Sequence, residues 1–212
     1  MKKIFLLLLL CLCIGESAYA QLSIGPKFGL NLFRVNTESS IVNDLFEYKY
    51  GGVVGFFAKY AVSSKFSVQS ELLYSQQGYK EKAYYVSNMD SPAEECTLKS
   101  TTHCFNIPIL MKFYPYEGFN LEVGPQVGFN IAQNRSFSTS SSLASEEDLF
   151  DDPSFKTVDF AVILGLGYEF NNRITTSLRY NLGLTPMTDE LFGKAYNRGF
   201  QLSVGYMFDV NK

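Results

Sequence analysis

The chain has 212 residues, of which 46% are hydrophobic and 16% aromatic with no tryptophan, and a formal net charge of −3. A mean hydropathy of −0.01 shows that the apolar residues are dispersed, and the positive residues form no basic patch of the kind nucleic acid needs. Beyond Ala20 no apolar run approaches the roughly 20 residues of a membrane-spanning helix.

Met1–Lys3 is a basic head, Ile4–Ile14 an apolar run, and Ala18-Tyr19-Ala20 a small-x-small site before Gln21. That layout predicts a secretory signal peptide over 1–20, cleaved after Ala20, and one exported domain over 21–212. Cys11 and Cys13 leave with the signal, and Leu10 and Leu12 stand where a lipoprotein site needs a small residue.

Stretches of two-residue alternation follow, bulky apolar on one parity and small or polar on the other. The first, Leu22–Phe33, sets Leu22, Ile24, Pro26, Phe28, Leu30 and Leu32 against Ser23, Gly25, Lys27, Gly29 and Asn31. The second, Tyr50–Ala61, is the least regular, because Val53 and Phe57 share parity with Gly51, Gly55 and Lys59. Ser63–Lys65 turns the chain into a third strand, where Phe66, Val68, Leu72 and Tyr74 oppose Ser67, Gln69, Glu71, Ser75 and Gln77. The fourth opposes Phe105, Ile107, Ile109, Met111 and Phe113 to Cys104, Asn106, Pro108 and Lys112. After Pro115–Gly118, the fifth opposes Phe119, Leu121, Val123, Val127, Phe129 and Ile131 to Asn120, Glu122, Gly124, Gln126, Gly128 and Asn130. The sixth, from Val158 to Phe170, carries Asp159 and Glu169 on its polar parity. Asn171–Arg173 is a turn by composition. The seventh opposes Ile174, Leu178, Tyr180 and Leu182 to Thr175, Ser177, Arg179 and Asn181, and the eighth opposes Phe200, Leu202, Val204, Tyr206 and Phe208 to Gln201, Ser203 and Gly205.

Three connections are tight (Ser63–Lys65, Pro115–Gly118, Asn171–Arg173) and four are long (Arg34–Lys49, Lys80–Lys99, Gln133–Lys156, Thr185–Arg198). Ser136–Ser145 reads as a loop arm of low complexity. The fold class this predicts is all-β: an eight-stranded antiparallel transmembrane β-barrel, an up-and-down meander with short periplasmic turns and long extracellular loops.

Alternation alone also suits a soluble, lipocalin-like barrel with an apolar cavity. Size decides between them. Eight strands enclose a lumen just wide enough to be filled by side chains; the Phe, Leu, Ile and Tyr set is too bulky for it, whereas the Gly, Ser and Asn set fits. Tyr60, Phe66, Phe113, Phe119, Phe170 and Phe208 all fall beside short turns or the C-terminal end, as a periplasmic girdle would.

With that parity the lumen receives Lys27, Lys59, Lys112 and Arg179 together with Glu71, Glu122, Asp159 and Glu169. Opposite charges in equal number predict structural ion pairs, because an unpaired buried charge is expensive. Counting register from Pro115–Gly118 puts Leu110 opposite Glu122 and makes Lys112 its diagonal neighbour. Glu71, Arg179 and Lys27 are expected to meet mid-barrel.

Cys96 and Cys104 remain after cleavage, too far apart for a CxxC pair; a local disulfide, two free thiols and, with His103, a metal site are the readings weighed. His103 is the only histidine, and Thr101 and Phe105, its neighbours on the same face, provide no serine for a lipid-acylating site. Glu146, Glu147, Asp148, Asp151 and Asp152 cluster without the spacing or glycine of a calcium loop, so a solvated hairpin tip is expected there.

Phe66-Ser67-Val68-Gln69-Ser70-Glu71-Leu72-Leu73-Tyr74-Ser75-Gln76-Gln77-Gly78 resembles the third-strand signature of the PorT-like outer-membrane β-barrel proteins of Bacteroidota. Asn106-Ile107-Pro108-Ile109-Leu110-Met111-Lys112 is similar to their Ile-Pro…Lys strand. Gly124-Pro125, Gly165-Leu166-Gly167-Tyr168 and Arg179-Tyr180-Asn181-Leu182-Gly183-Leu184 match later positions. The resemblance covers essentially the whole mature chain and implies the same fold and compartment. The family's namesake takes part in a protein-secretion system, a role not carried over here. One departure is the end of the chain, where Asp209–Lys212 follows the last aromatic, Phe208.

The function expected is that of an integral outer-membrane barrel with a side-chain-filled lumen, structural or interacting through its extracellular loops, without enzymatic activity. A narrow channel or small-ligand transport barrel comes second and an outer-membrane lipid-modifying enzyme third. No cofactor or catalytic residue is expected. The expected partners are outer-membrane lipid, the barrel-assembly machinery during biogenesis, and a protein outside the cell or in the periplasm.

Overall fold

The computed structural model describes residues 21–37, 46–85, 94–139, 157–188 and 194–210. The proposed signal segment, residues 1–20, and the carboxylate cluster at 146–152 lie outside them. The strands are β1 Leu22–Thr37, β2 Phe46–Ala61, β3 Phe66–Tyr85, β4 Glu94–Phe113, β5 Phe119–Thr139, β6 Val158–Glu169, β7 Ile174–Thr188 and β8 Ala195–Tyr206; β9, Phe208–Asp209, continues β8 past Met207. Each pairs antiparallel with its neighbour in sequence, and β1 pairs with both β2 and β8, which closes the sheet. Closure satisfies every strand's ladder internally, the condition for crossing hydrocarbon with strands. No helix among the described residues is long and apolar enough to cross a membrane.

The tight turns are built by local chemistry. Ser63 Oγ accepts from the Phe66 amide at 3.1 Å. Gly118 takes a φ of 76° and Arg173 a φ of 69°, left-handed conformations that cost glycine little. The seam is tied at the same end: Ile24 pairs with Phe208, and Ser23 Oγ donates to Asp209 Oδ1 at 3.0 Å.

The alternation separates outside from inside. Leu178 is 49% exposed while Arg179, the next residue, is 1% exposed. Tyr60, Phe66, Phe113, Phe170 and Phe208 are exposed next to the short turns, and Phe66 stacks on Phe113 with centroids 5.1 Å apart. This outer surface is what lipid must cover.

Three expectations need correction. The long loops begin later than the sequence suggests: β1 runs to Thr37, β2 starts at Phe46, β3 and β4 each have 20 residues, and β5 has 21, taking in Ser136–Thr139. The strands simply continue past the apolar band, where both faces are polar and hydropathy no longer marks them. The lumen also admits bulky apolar side chains. Phe33, Val53, Phe57, Leu73 and Ile163 are all buried at 3% exposure or less, and the Phe57 ring occupies space that a side chain on Gly25 or Gly205 would take. Finally, Lys112 pairs directly with Glu122, and Leu110 is not opposite it, because the connection around Pro115–Gly118 takes up two more residues than the count assumed.

Leu178→Arg places a charge on the lipid face near mid-membrane. It is expected to lower stability by about 2–4 kcal/mol in a urea titration in lipid vesicles, whereas Leu178→Phe stays near wild type.

Candidate functional site

The lumen is the feature that sets what this barrel can do. Seven of the eight charged residues expected inside form one continuous chain, alternating in sign. Lys27 Nζ lies 3.0 Å from Glu71 Oε1. Glu71 receives the Arg179 fork, with Nη1 to Oε2 at 2.7 Å and Nη2 to Oε1 at 2.8 Å. Arg179 Nε donates to Glu122 Oε2 at 2.5 Å. Lys112 Nζ stands 3.1 Å from Glu122 Oε1, an ion pair without hydrogen-bond alignment, and 3.4 Å from Glu169 Oε1. Glu169 Oε2 accepts from Lys59 Nζ at 2.5 Å.

The order is therefore Lys27, Glu71, Arg179, Glu122, Lys112, Glu169, Lys59, with cations at both ends. Every carboxylate sits between two cations, so none is left bare in a medium where an isolated ion costs several kcal/mol. The chain carries one excess positive charge. Its Lys59 end is where water reaches: the side chains of Lys59 and Glu169 are 12% exposed, against 4% or less for the other five.

Two polar residues without an assigned role complete the network. Tyr114 OH donates to Glu169 Oε1 at 2.8 Å and contacts Ser67 Oγ at 3.1 Å. The Gln69 side-chain amide donates to Glu71 Oε1. Tyr114 continues the inward parity of Lys112 one step into the turn, a signal hidden by ending the strand at Phe113.

Asp159 does not join the chain. It is half-buried at the outer end of β6, held by the Phe160 backbone amide and the Thr185 side chain, and no cation pairs with it among the described residues. The expected four-against-four balance is thus four cations with three carboxylates, because β6 places Asp159 ten residues above Glu169. Nearer the outer mouth the lumen is lined by amides. Asn31 Nδ2 donates to Ser75 Oγ at 2.7 Å and Asn197 Nδ2 to Gln77 Oε1 at 2.5 Å. Asn31 Oδ1, Asn197 Oδ1, Gln201 Nε2 and both polar atoms of Asn181 are buried without a protein partner.

A disulfide between Cys96 and Cys104 is ruled out by strand geometry. Both lie in β4, and eight residues of extended strand separate their Cα atoms by about 26 Å, against at most about 7 Å in a disulfide. The Cys104 thiol is free and buried, 3.4 Å from the Ser75 carbonyl. No group of three or more metal-ligating side chains exists among the described residues. His103 faces outward, its Nδ1 2.6 Å from Tyr74 OH and its Nε2 3.5 Å from Asn134 Nδ2.

With a closed barrel, a lipid-facing exterior and a packed polar lumen established, the comparison with known proteins is direct. A family model described as "Outer membrane protein beta-barrel domain" matches residues 16–189. The chain belongs to that family. Solved structures also align with this outer-membrane β-barrel, at low identity. Ail, the attachment invasion locus protein of Yersinia pestis, solved with the heparin analogue sucrose octasulfate, is 12% identical over 89% of this chain and 99% of that one, with a TM-score of 0.45. Neisserial surface protein A is 11% identical over 87% and 97%, with a TM-score of 0.48. OprG from Pseudomonas aeruginosa is 13% identical over 90% and 96%, with a TM-score of 0.38. No curated protein matches the chain.

Arg179→Leu removes three buried charge-assisted hydrogen bonds, leaving Glu71 and Glu122 with one lysine each, and is expected to destabilise the outer-membrane barrel by roughly 3–5 kcal/mol in urea titrations. Adding Glu71→Leu should recover part of that loss, since both charges then leave together. For the thiols, the intact mass should be the same with and without reductant, and Cys104 should react with a maleimide only after unfolding.

Proposed function

We propose that the protein is a non-conducting, non-enzymatic outer-membrane barrel of the PorT-like group that acts through the strands and loops raised above its outer mouth. The observation that carries this is the ion chain: Glu71, Glu122, Lys112 and Arg179 are buried at 3% exposure or less across a lumen one side chain deep. A solute crossing it would have to break several buried charge-assisted hydrogen bonds at once, each worth about 1.5–3 kcal/mol. The long strands support the interaction role. β3, β4 and β5 have 20, 20 and 21 residues, against 12 in β6 and in β8, so one side of the barrel rises as a three-stranded wall available to a partner. His103 contacts Tyr74 and Asn134, neither a nucleophile–base pair nor an acid to orient it, which favours a non-enzymatic reading. During biogenesis, the Phe208 end that closes against Ile24 is the segment for assembly machinery to engage.

A second reading, a narrow channel, is favoured by the unpartnered amides of Asn31, Asn181, Asn197 and Gln201, which could solvate a permeant. Planar-bilayer recordings separate the two. Purified protein is expected to incorporate without discrete conductance steps; reproducible steps would move the channel reading ahead.

A further inference from the structure

We infer that Arg34 and Arg198, with Tyr48 beside Arg34, form a site on the outer wall of the barrel for the phosphate of an outer-leaflet lipid headgroup. This rests on the outer-membrane placement of the barrel and names which lipid chemistry its wall selects.

Both arginines point away from the lumen. Their strand neighbours Phe33, Val35 and Asn197 are buried inside, and alternation sends Arg34 and Arg198 to the opposite face. β1 and β8 set them directly across from each other. Like charges directly opposite on a sheet are destabilising, and no carboxylate pairs with either one among the described residues.

Their height is that of headgroups. The outward row on β1 runs from Leu22 to Leu32, about 34 Å along the strand and about 26 Å across the membrane at a tilt near 40°. That matches the apolar band of roughly 25 Å of an outer-membrane barrel, and Arg34 is the next outward position above it. Just below lie Leu32 and Phe200, paired across the same two strands, and the Phe200 ring packs on Tyr180 with centroids 4.8 Å apart.

The guanidinium of Arg34 is positioned and not consumed. Its Nε donates to Asn36 Oδ1 at 2.7 Å, and its carbon lies 5.2 Å from the centre of the Tyr48 ring; among the described residues its two terminal nitrogens have no hydrogen-bond partner. Arg198 Nε is buried without a partner. Two arginines at directly paired positions suit the several oxygens of a phosphate, which guanidinium binds in bidentate fashion. Both arginines stand on the outward face directly above the apolar pair Leu32 and Phe200, so a ligand held there lies along that wall and needs an apolar tail. A lipid meets that demand; a soluble polyanion does not.

The test is native mass spectrometry of the purified barrel with equal amounts of phosphatidic acid and phosphatidylcholine of the same acyl chains. Wild type should retain phosphatidic acid about tenfold over phosphatidylcholine, a preference of about 1.4 kcal/mol, and an excess of inorganic phosphate should not displace it. The Arg34→Gln/Arg198→Gln protein should fall to about twofold or less, while Lys65→Gln, at a periplasmic turn, keeps the wild-type preference. Gel migration before and after heating reports folding; wild type without a heat-sensitive form would refute the barrel placement itself. If only the double variant fails to fold, Arg34→Gln alone should cut the preference about threefold. Equal retention of both lipids by wild type, an unchanged preference in the folded variant, or displacement by inorganic phosphate would each overturn the lipid site.

Discussion

An eight-stranded closed sheet has room inside for about one layer of side chains, and that narrowness governs the rest of the molecule. Whatever points inward must fill the space, satisfy its own hydrogen bonds and balance its own charge, because water cannot enter in bulk. Whatever points outward meets hydrocarbon and is free to be large. The contrast between Leu178 and Arg179, adjacent in sequence and opposite in exposure, is this constraint at the scale of one peptide unit.

The interior meets the constraint in two ways. Toward the short turns it uses charge, arranged as an alternating line so that each carboxylate is shared by two cations. Arg179 is central because its planar fork engages Glu71 bidentately while its Nε reaches Glu122, which a lysine, as a point charge, does not reproduce. Beside and above that line the lumen uses volume. Phe57 lies where Gly25 and Gly205 leave space, and Phe33 stands across from Gly199. Glycine on one strand and a large side chain on its neighbour keep the section filled without widening it.

The exterior is equally graded. Aromatics sit beside the short turns, aliphatic side chains together with Phe28 and Phe56 occupy the middle, and on β1 and β8 the first outward position above the apolar row is an arginine. Above that level β3, β4 and β5 continue as strands. The ion chain crosses the axis of the barrel, which is why the proposed interaction role is assigned to the wall and the raised outer end.

Fold class, strand number, strand order and the inward or outward direction of most side chains were legible in the sequence, since a period of two and the placement of tight turns follow from backbone geometry alone. Lys27, Glu71 and Arg179 were expected to meet because each lies mid-strand on the inward parity. Other features needed the closed structure. Register moves with turn conformation, here by two residues, so Lys112 opposite Glu122 could not be counted out from Pro115–Gly118. Inward Phe57 and Val53 looked like irregular alternation until the glycines across from them were known. Cys96 and Cys104 suggested a closed loop only while β4 was thought to begin after Lys99. Alternation is a property of one strand and is written in it; partnership across a lumen belongs to several strands at once, and only their closure decides it.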